Sequence, residues 1–301
     1  MKVIYQSERL RALFFERTSP TVYATFDFWV AGKSGFAELR PNFLLNTHQS
    51  EIVVQTARND WYHAPDFQAL LQKLAQLRAG LGDRPVVSYG ISMGGYAAML
   101  TSGTLRPDWL VLVAPQISVD PLTVPFEHRW RADRENIEFT NHDLNRLANH
   151  SAKGVLIYDP LIKADADHAA MARQHFPGLQ PAPMPLGGHL PPQIVRMTGN
   201  FADFYRVAII ERGRPADLLA QFRQRRRLAA AYWVRLAELA ARRRQDSRNE
   251  GIARQRHSLA CRALEMARDL DLDGLPPNLR AVYDTLGGQA RRHTSAPIAN
   301  A

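Results

Sequence analysis

The chain has 301 residues, 46% hydrophobic and 22% charged, a composition that excludes a disordered protein and leaves room for one large domain or two. Its single cysteine, Cys261, excludes an internal disulfide and fits a reducing compartment. The net charge of +9 is concentrated: from Glu211 onward 18 Arg and no Lys stand against 10 Asp and Glu, a surplus of +8, so the preceding residues are near neutral.

The first nine residues, Met1 to Arg9, contain no apolar signal region, and no run approaches the roughly 18 apolar residues of a membrane span. A cytoplasmic protein is expected. Val3–Tyr5 and Ala12–Phe15 read as short strands, and Thr21–Phe26 as a stronger one, β-branched and aromatic and bounded by Pro20. A loop follows over Asp27–Gly35, then a strand at Glu51–Thr56. Pro65–Leu81 has apolar residues at helical spacing. Trp109–Ala114 and Gly154–Tyr158 read as buried strands, and the long interruption between them, about 115–151, as a small cap. Ala166–Phe176 is predicted to be a helix. Leu179–Met184 is a strand that Pro181 and Pro183 confine to an edge, and Pro191–Ile210 a closing helix. Strands alternating with helices, most of the strands near-continuous apolar runs, predict an α/β fold with a mostly parallel sheet.

Beyond residue 210 the alternation stops. Leu218–Arg244 and Ile252–Leu270 read as long arginine-rich amphipathic helices, Leu279–Leu286 as a shorter one, and 288–301 as a disordered tail. The organisation expected is therefore a domain over 1–210, a basic helical extension over 211–287, and the tail.

One stretch carries chemistry. The run Val86-Val87-Ser88-Tyr89 leads into Gly90-Ile91-Ser92-Met93-Gly94-Gly95 and then into an alanine-rich helix former. With 18 Gly in the chain, a chance Gly-x-Ser-x-Gly match is expected only about 0.04 times. Strand, strained turn and helix in that order are what a nucleophile elbow requires, with Gly90 and Gly94 leaving room where a Cβ would collide. Ser92 would be held at a helix N-terminus, with the Met93 amide aimed at a developing oxyanion.

On this motif, residues 1–210 resemble the α/β-hydrolase superfamily, whose triad runs Ser, Asp, His along the chain. The resemblance implies Ser92 as nucleophile, a histidine general base and an orienting acid, acting through an acyl-enzyme. It places the histidine after the last strand, where His189 follows Gly187 and Gly188. It places the acid just past Gly154–Tyr158, where Asp159, Asp165 and Asp167 all lie. Asp165 best fits an acid shortly before a helix. Asp167 then reads as a helix cap and Asp159, before Pro160, as a turn former, with Asp120 an outside candidate. The second oxyanion donor is expected from the loop after Thr21–Phe26, at Asp27 or Phe28. No His-Gly-Gly-Gly sequence occurs there, a departure from one esterase subgroup. Trp61 and Tyr62 are candidates for the substrate pocket.

The function expected is hydrolysis of an acyl ester or thioester, with no metal and no cofactor. Stretches 116–121 and 126–130 also resemble bacterial hydrolases associated with surface glycans. A hydrolase fold without catalysis, working as an interaction protein through its helical segment, is the alternative. A protein partner or self-association is expected at those helices. Nucleic acid is not, because no recognised binding module accompanies the arginines.

Overall fold

The computed structural model describes residues 1–37, 48–139 and 143–294. Eight strands form one sheet: β1 (Lys2–Gln6), β2 (Leu10–Phe15), β3 (Val22–Phe26), β4 (Ser50–Thr56), β5 (Val86–Ile91), β6 (Trp109–Val113), β7 (Gly154–Tyr158) and β8 (Leu179–Pro183). Their order is β1-β2-β4-β3-β5-β6-β7-β8. The first two pairings, β1 with β2 and β2 with β4, are antiparallel, and all the rest are parallel. This is the α/β-hydrolase-type architecture, with helices flanking a mostly parallel sheet. The apolar runs of β4, β5 and β6 occupy the middle of the sheet and are buried almost throughout, as strands covered on both faces must be. The proline-containing β8 lies at the edge, where a missing N–H breaks no ladder.

Between strands run α1 (Phe67–Gly80), α2 (Met93–Leu100) and α3 (Lys163–His175). The α3 helix begins three residues earlier than the sequence predicts, so Asp165 stands in its first turn rather than ahead of it. The predicted helix over Pro191–Ile210 is broken: Pro192–Met197 and Phe201–Tyr205 are separate turns, with Gly199 at φ +77° between them, and a π-helical turn follows at Arg206–Ile210.

The chain divides into two compact units, one of Met1–Pro185 with Tyr205–Leu218, the other of Leu186–Phe204 with the residues from Leu219 on. The segment carrying His189 thus groups with the helical part, not with the sheet as a boundary at 210 implies. Past the π-helical turn come α4 (Pro215–Arg225), α5 (Ala230–Gln245), α6 (Glu250–Arg268) and α7 (Pro277–Thr294). The long helix predicted from Leu218 to Arg244 is two, because Ala229 is extended at φ −107°, ψ 124°. In the second unit α5 and α6 meet through small side chains, Ala237 and Ala240 against Ala260 and Ala263, with Leu264, Trp233, Leu236, Tyr283 and Leu286 completing the cluster. Asn249 caps α6 by accepting from the Ile252 N–H. The α7 helix runs through 288–294, where a disordered tail was expected, while 295–301 lie outside the described residues. Among the described residues no helix is long and apolar enough to cross a membrane.

The crossing of β5 and α2 has no slack. A Cβ on Gly90 would lie 2.3 Å from the Gly94 carbonyl oxygen, and one on Gly94 would lie 2.8 Å from that of Phe26. Gly95 abuts Pro115 in the same way, at 2.7 Å. Gly80, at the end of α1, has nothing within 4 Å. Gly90→Ala is therefore expected to destabilise by about 3 kcal/mol, while Gly80→Ala is neutral or stabilises by up to ~1 kcal/mol. Urea denaturation midpoints of the two variants check this, and equal stabilities would contradict it.

Candidate active site

Ser92 joins β5 to α2 at φ 52°, ψ −119°, a conformation that costs a residue with a Cβ energy. Such strain recurs at the same edge of the sheet: Trp61 (φ 48°) and Tyr62 (φ 61°) follow β4, and Ala114 (φ 42°) follows β6. The loops that end these strands are held by specific bonds. Asp60 is buried, ion-paired to Arg9 at 2.6 Å, and accepts from the Thr56 hydroxyl and the Tyr62 N–H. The Tyr62 hydroxyl donates to the Asp27 carbonyl at 3.1 Å, and burial pushes its pKa well up. The Trp61 indole N–H donates to Gln116 Oε1 at 2.9 Å, and the Ser92 hydroxyl donates to that same oxygen at 3.2 Å.

Trp61 and Tyr62, expected to line a pocket, are instead fully buried. Two aromatic side chains set in strained turns brace the loop, and Trp61 is linked to Ser92 by their shared hydrogen-bond acceptor, Gln116 Oε1. The residue that sequence reasoning missed is Gln116 itself. Its signal was its place, three residues beyond β6 at the C-terminal edge of a parallel sheet, where ligands of open α/β folds bind.

The Met93 N–H is the first of α2 and has no intrahelical acceptor, as at any helix start. On the opposite flank, the Asp27 N–H is committed to the Val54 carbonyl at 3.1 Å. Of the two residues expected to supply a second oxyanion donor, Asp27 thus has its N–H engaged, and Phe28 is 44% exposed.

Asp165 is occupied elsewhere. Buried in the first turn of α3, it is ion-paired at 2.7 Å with Arg129, which also binds Glu127 at 2.5 Å. His168, fully buried, completes the group: its Nδ1 accepts from the Ile117 N–H at 3.2 Å, so Nε2 bears the proton and donates to Glu127 at 3.2 Å. Burial alone would raise the Glu127 pKa, but the hydrogen bonds from His168 and Arg129 outweigh it and hold the carboxyl well below the usual range. These bonds fasten the 115–151 insertion to α3. Asp167, read as a possible cap, is ion-paired with Lys163 on the helix surface. Asp120 accepts from the Leu122 N–H and the Thr123 hydroxyl in its own turn. Asp159 lies immediately after β7, is 2% exposed, and accepts from the Leu161 N–H at 2.9 Å.

His189 belongs to the second unit and is partly buried. Gly188 before it has φ +77°, and a Cβ there would lie 2.5 Å from the Arg235 guanidinium. The small residue makes room for that arginine. A cavity of about 360 Å³ lined by His63, Tyr96, Ser118 and Phe139 does not have Ser92 in its wall.

A scan against protein-family models and a search of curated proteins found no match. Among solved structures, the capsule O-acetyltransferase of Neisseria meningitidis serogroup A is similar at 14% identity and a TM-score of 0.44, over 67% of this chain and 90% of that one. MenH from S. aureus is similar at 11% and 0.37, over 71% and 98%. An α/β serine hydrolase without lid from Xanthomonas campestris is similar at 15% and 0.34, over 58% and 78%.

The charge cluster generates a pH prediction. Because the folded pKa of Glu127 is depressed, its stabilisation is fully present above the unfolded value near 4.5 and is lost as pH falls below it. Glu127→Gln is expected to cost about 3 kcal/mol at pH 7 and to flatten the fall in stability between pH 5 and 3. Chemical denaturation across that range measures both, and a variant with the wild-type slope would contradict the assignment.

Proposed function

We propose that this protein is a serine hydrolase that cleaves an acyl ester or thioester, with Ser92 as nucleophile, His189 as general base and Asp159 as the orienting acid. The observation that carries the reading is Ser92 itself, strained at φ 52° between β5 and α2 with the Met93 N–H beside it. Asp159 replaces the acid first expected, because Asp165 is bound to Arg129 whereas Asp159 is buried directly at the end of β7. For His189 the support is chain connectivity. It follows the end of β8 by six residues, which span up to ~20 Å, and β8 and β5 are three strand spacings apart, ~14 Å.

In this reading Ser92 Oγ attacks the acyl carbon while its proton passes to His189. The carbonyl electron pair moves to oxygen and is met by the N–H groups of Met93 and Phe28. Collapse of the tetrahedral intermediate breaks the bond to the alcohol or thiol, which takes the proton from His189. Water then repeats the sequence on the acyl-enzyme, releasing the carboxylic acid and free Ser92. Asp159 holds the imidazole and stabilises its protonated form.

A second reading, a partner-binding protein, draws on the helical unit. Ile252, Leu259 and Met266 recur every seven residues along α6 and are 38–44% exposed.

Hydrolysis of p-nitrophenyl acetate separates the candidates. Ser92→Ala and His189→Ala are expected to lower kcat by about 10³-fold or more, and Asp159→Asn by 10²–10⁴-fold. Asp165→Asn should lower Tm while leaving kcat within about threefold. Activity lost in Asp165→Asn and kept in Asp159→Asn would reverse the assignment of the acid, and full activity in Ser92→Ala would end the hydrolase reading.

A further inference from the structure

Gln116 is 0% exposed, yet one of its two polar atoms has no use within the described residues. An indole N–H can only donate, so the Gln116 atom facing Trp61 at 2.9 Å is the carbonyl oxygen, and the two-fold ambiguity of the amide is resolved. The same oxygen holds the Ser92 hydroxyl at 3.2 Å. Nε2 is bonded to the same carbon as that oxygen. It is buried and has no acceptor among the described residues. Buried donors of this kind are few in native proteins, and each requires an explanation. Here a preset N–H donor lies beside the nucleophile, fixed by a tryptophan that is itself braced in a strained turn.

The sheet order sets the flank of Ser92 from which Gln116 comes. Strands β3 and β6 flank β5 on opposite sides. In the proposed reading the oxyanion donors are Met93 at the start of α2 and Phe28 in the loop after β3, and the α2 turn packs on the Phe26 and Asp27 carbonyls. Gln116 comes from the β6 side. With the acyl oxygen drawn toward β3, the substituents left for the β6 flank are the acyl chain and the leaving group. An amide N–H requires an oxygen there. An oxygen ester always offers one, its bridging atom, whereas a thioester offers a sulfur that accepts weakly.

We propose that Gln116 Nε2 donates a hydrogen bond to the bridging oxygen of an ester bound at Ser92, making Gln116 the residue that selects oxygen esters over thioesters. The inference rests on Ser92 being the nucleophile and narrows the substrate class of that site. As the carbon–oxygen bond breaks, negative charge gathers on the departing oxygen. Gln116 stabilises it until His189 delivers the proton, and no other reactant is needed. A site built to pair with an oxygen discriminates strongly against an analogue lacking it, because its donor is then left buried and unpaired.

The test compares phenyl acetate with S-phenyl thioacetate, which differ in the bridging atom alone. Gln116→Glu keeps an oxygen for Trp61 and Ser92 but removes the N–H, and Gln116→Leu removes both. In each variant the ratio of kcat/KM for phenyl acetate to that for the thioacetate is expected to fall at least tenfold, whatever loss the two rates share through the lost hold on the Ser92 hydroxyl. Labelling by a fluorophosphonate is run in parallel on the wild type. A labelled wild type that leaves phenyl acetate intact, an unchanged ratio, or a parallel fall of both rates would overturn the role of Gln116. An unlabelled wild type would instead overturn the reading of Ser92 on which it rests.

Discussion

The structure depends on a steric constraint at one crossing. Where β5 turns into α2, backbone passes so close to backbone that Gly90, Gly94 and Gly95 each occupy a place with no room for a Cβ. Gly94 presses on the end of β3 and Gly95 on Pro115 beyond β6, so the turn is wedged between the two strands that flank β5. Ser92 is the residue at the apex, and its left-handed conformation is over-determined by the packing on both sides. The strain is local and the support is global: strands buried on both faces fix the ends of the wedge.

Around this apex the remaining loops are rigidified by pairwise bonds rather than by regular structure. Asp60 locks the turn that presents Trp61, Trp61 fixes Gln116, and Gln116 holds the Ser92 hydroxyl. Next to Gln116, Ile117 is bound by His168, and through His168, Glu127, Arg129 and Asp165 the insertion is tied to α3. Trp130 adds aromatic contacts to Trp29 and Trp61, joining the insertion to the loops after β3 and β4. Loop residues positioned this way by a rigid sheet are where binding and catalysis are expected.

The sequence made the elbow legible because its signal is local: apolar strand, glycines at fixed spacing, alanine-rich helix. The strands were legible for the same reason, down to the edge placement of the proline-bearing β8. What was not legible was long-range. Asp165 satisfies a local layout, and its ion pair with Arg129, 36 residues earlier, leaves no mark in that layout. Trp61 and Tyr62 looked like pocket residues because aromatic loop residues often are, and periodicity says nothing about whether a loop side chain points inward. Gln116 was overlooked since its partner Trp61 is 55 residues away. Helix ends were misplaced at Ala229, where the backbone leaves the helix within a run of good helix formers, and at Gly199, where Thr198-Gly199-Asn200 is a local stop signal.

Activation of Ser92 as a nucleophile is addressed directly by one measurement. The folded protein is treated with a fluorophosphonate and digested, and the peptide spanning residues 86–99 is weighed. A mass increase equal to one phosphonyl group on Ser92, absent from Ser92→Ala, is the result predicted. An unmodified peptide from folded protein, or an adduct that persists in Ser92→Ala, would contradict it.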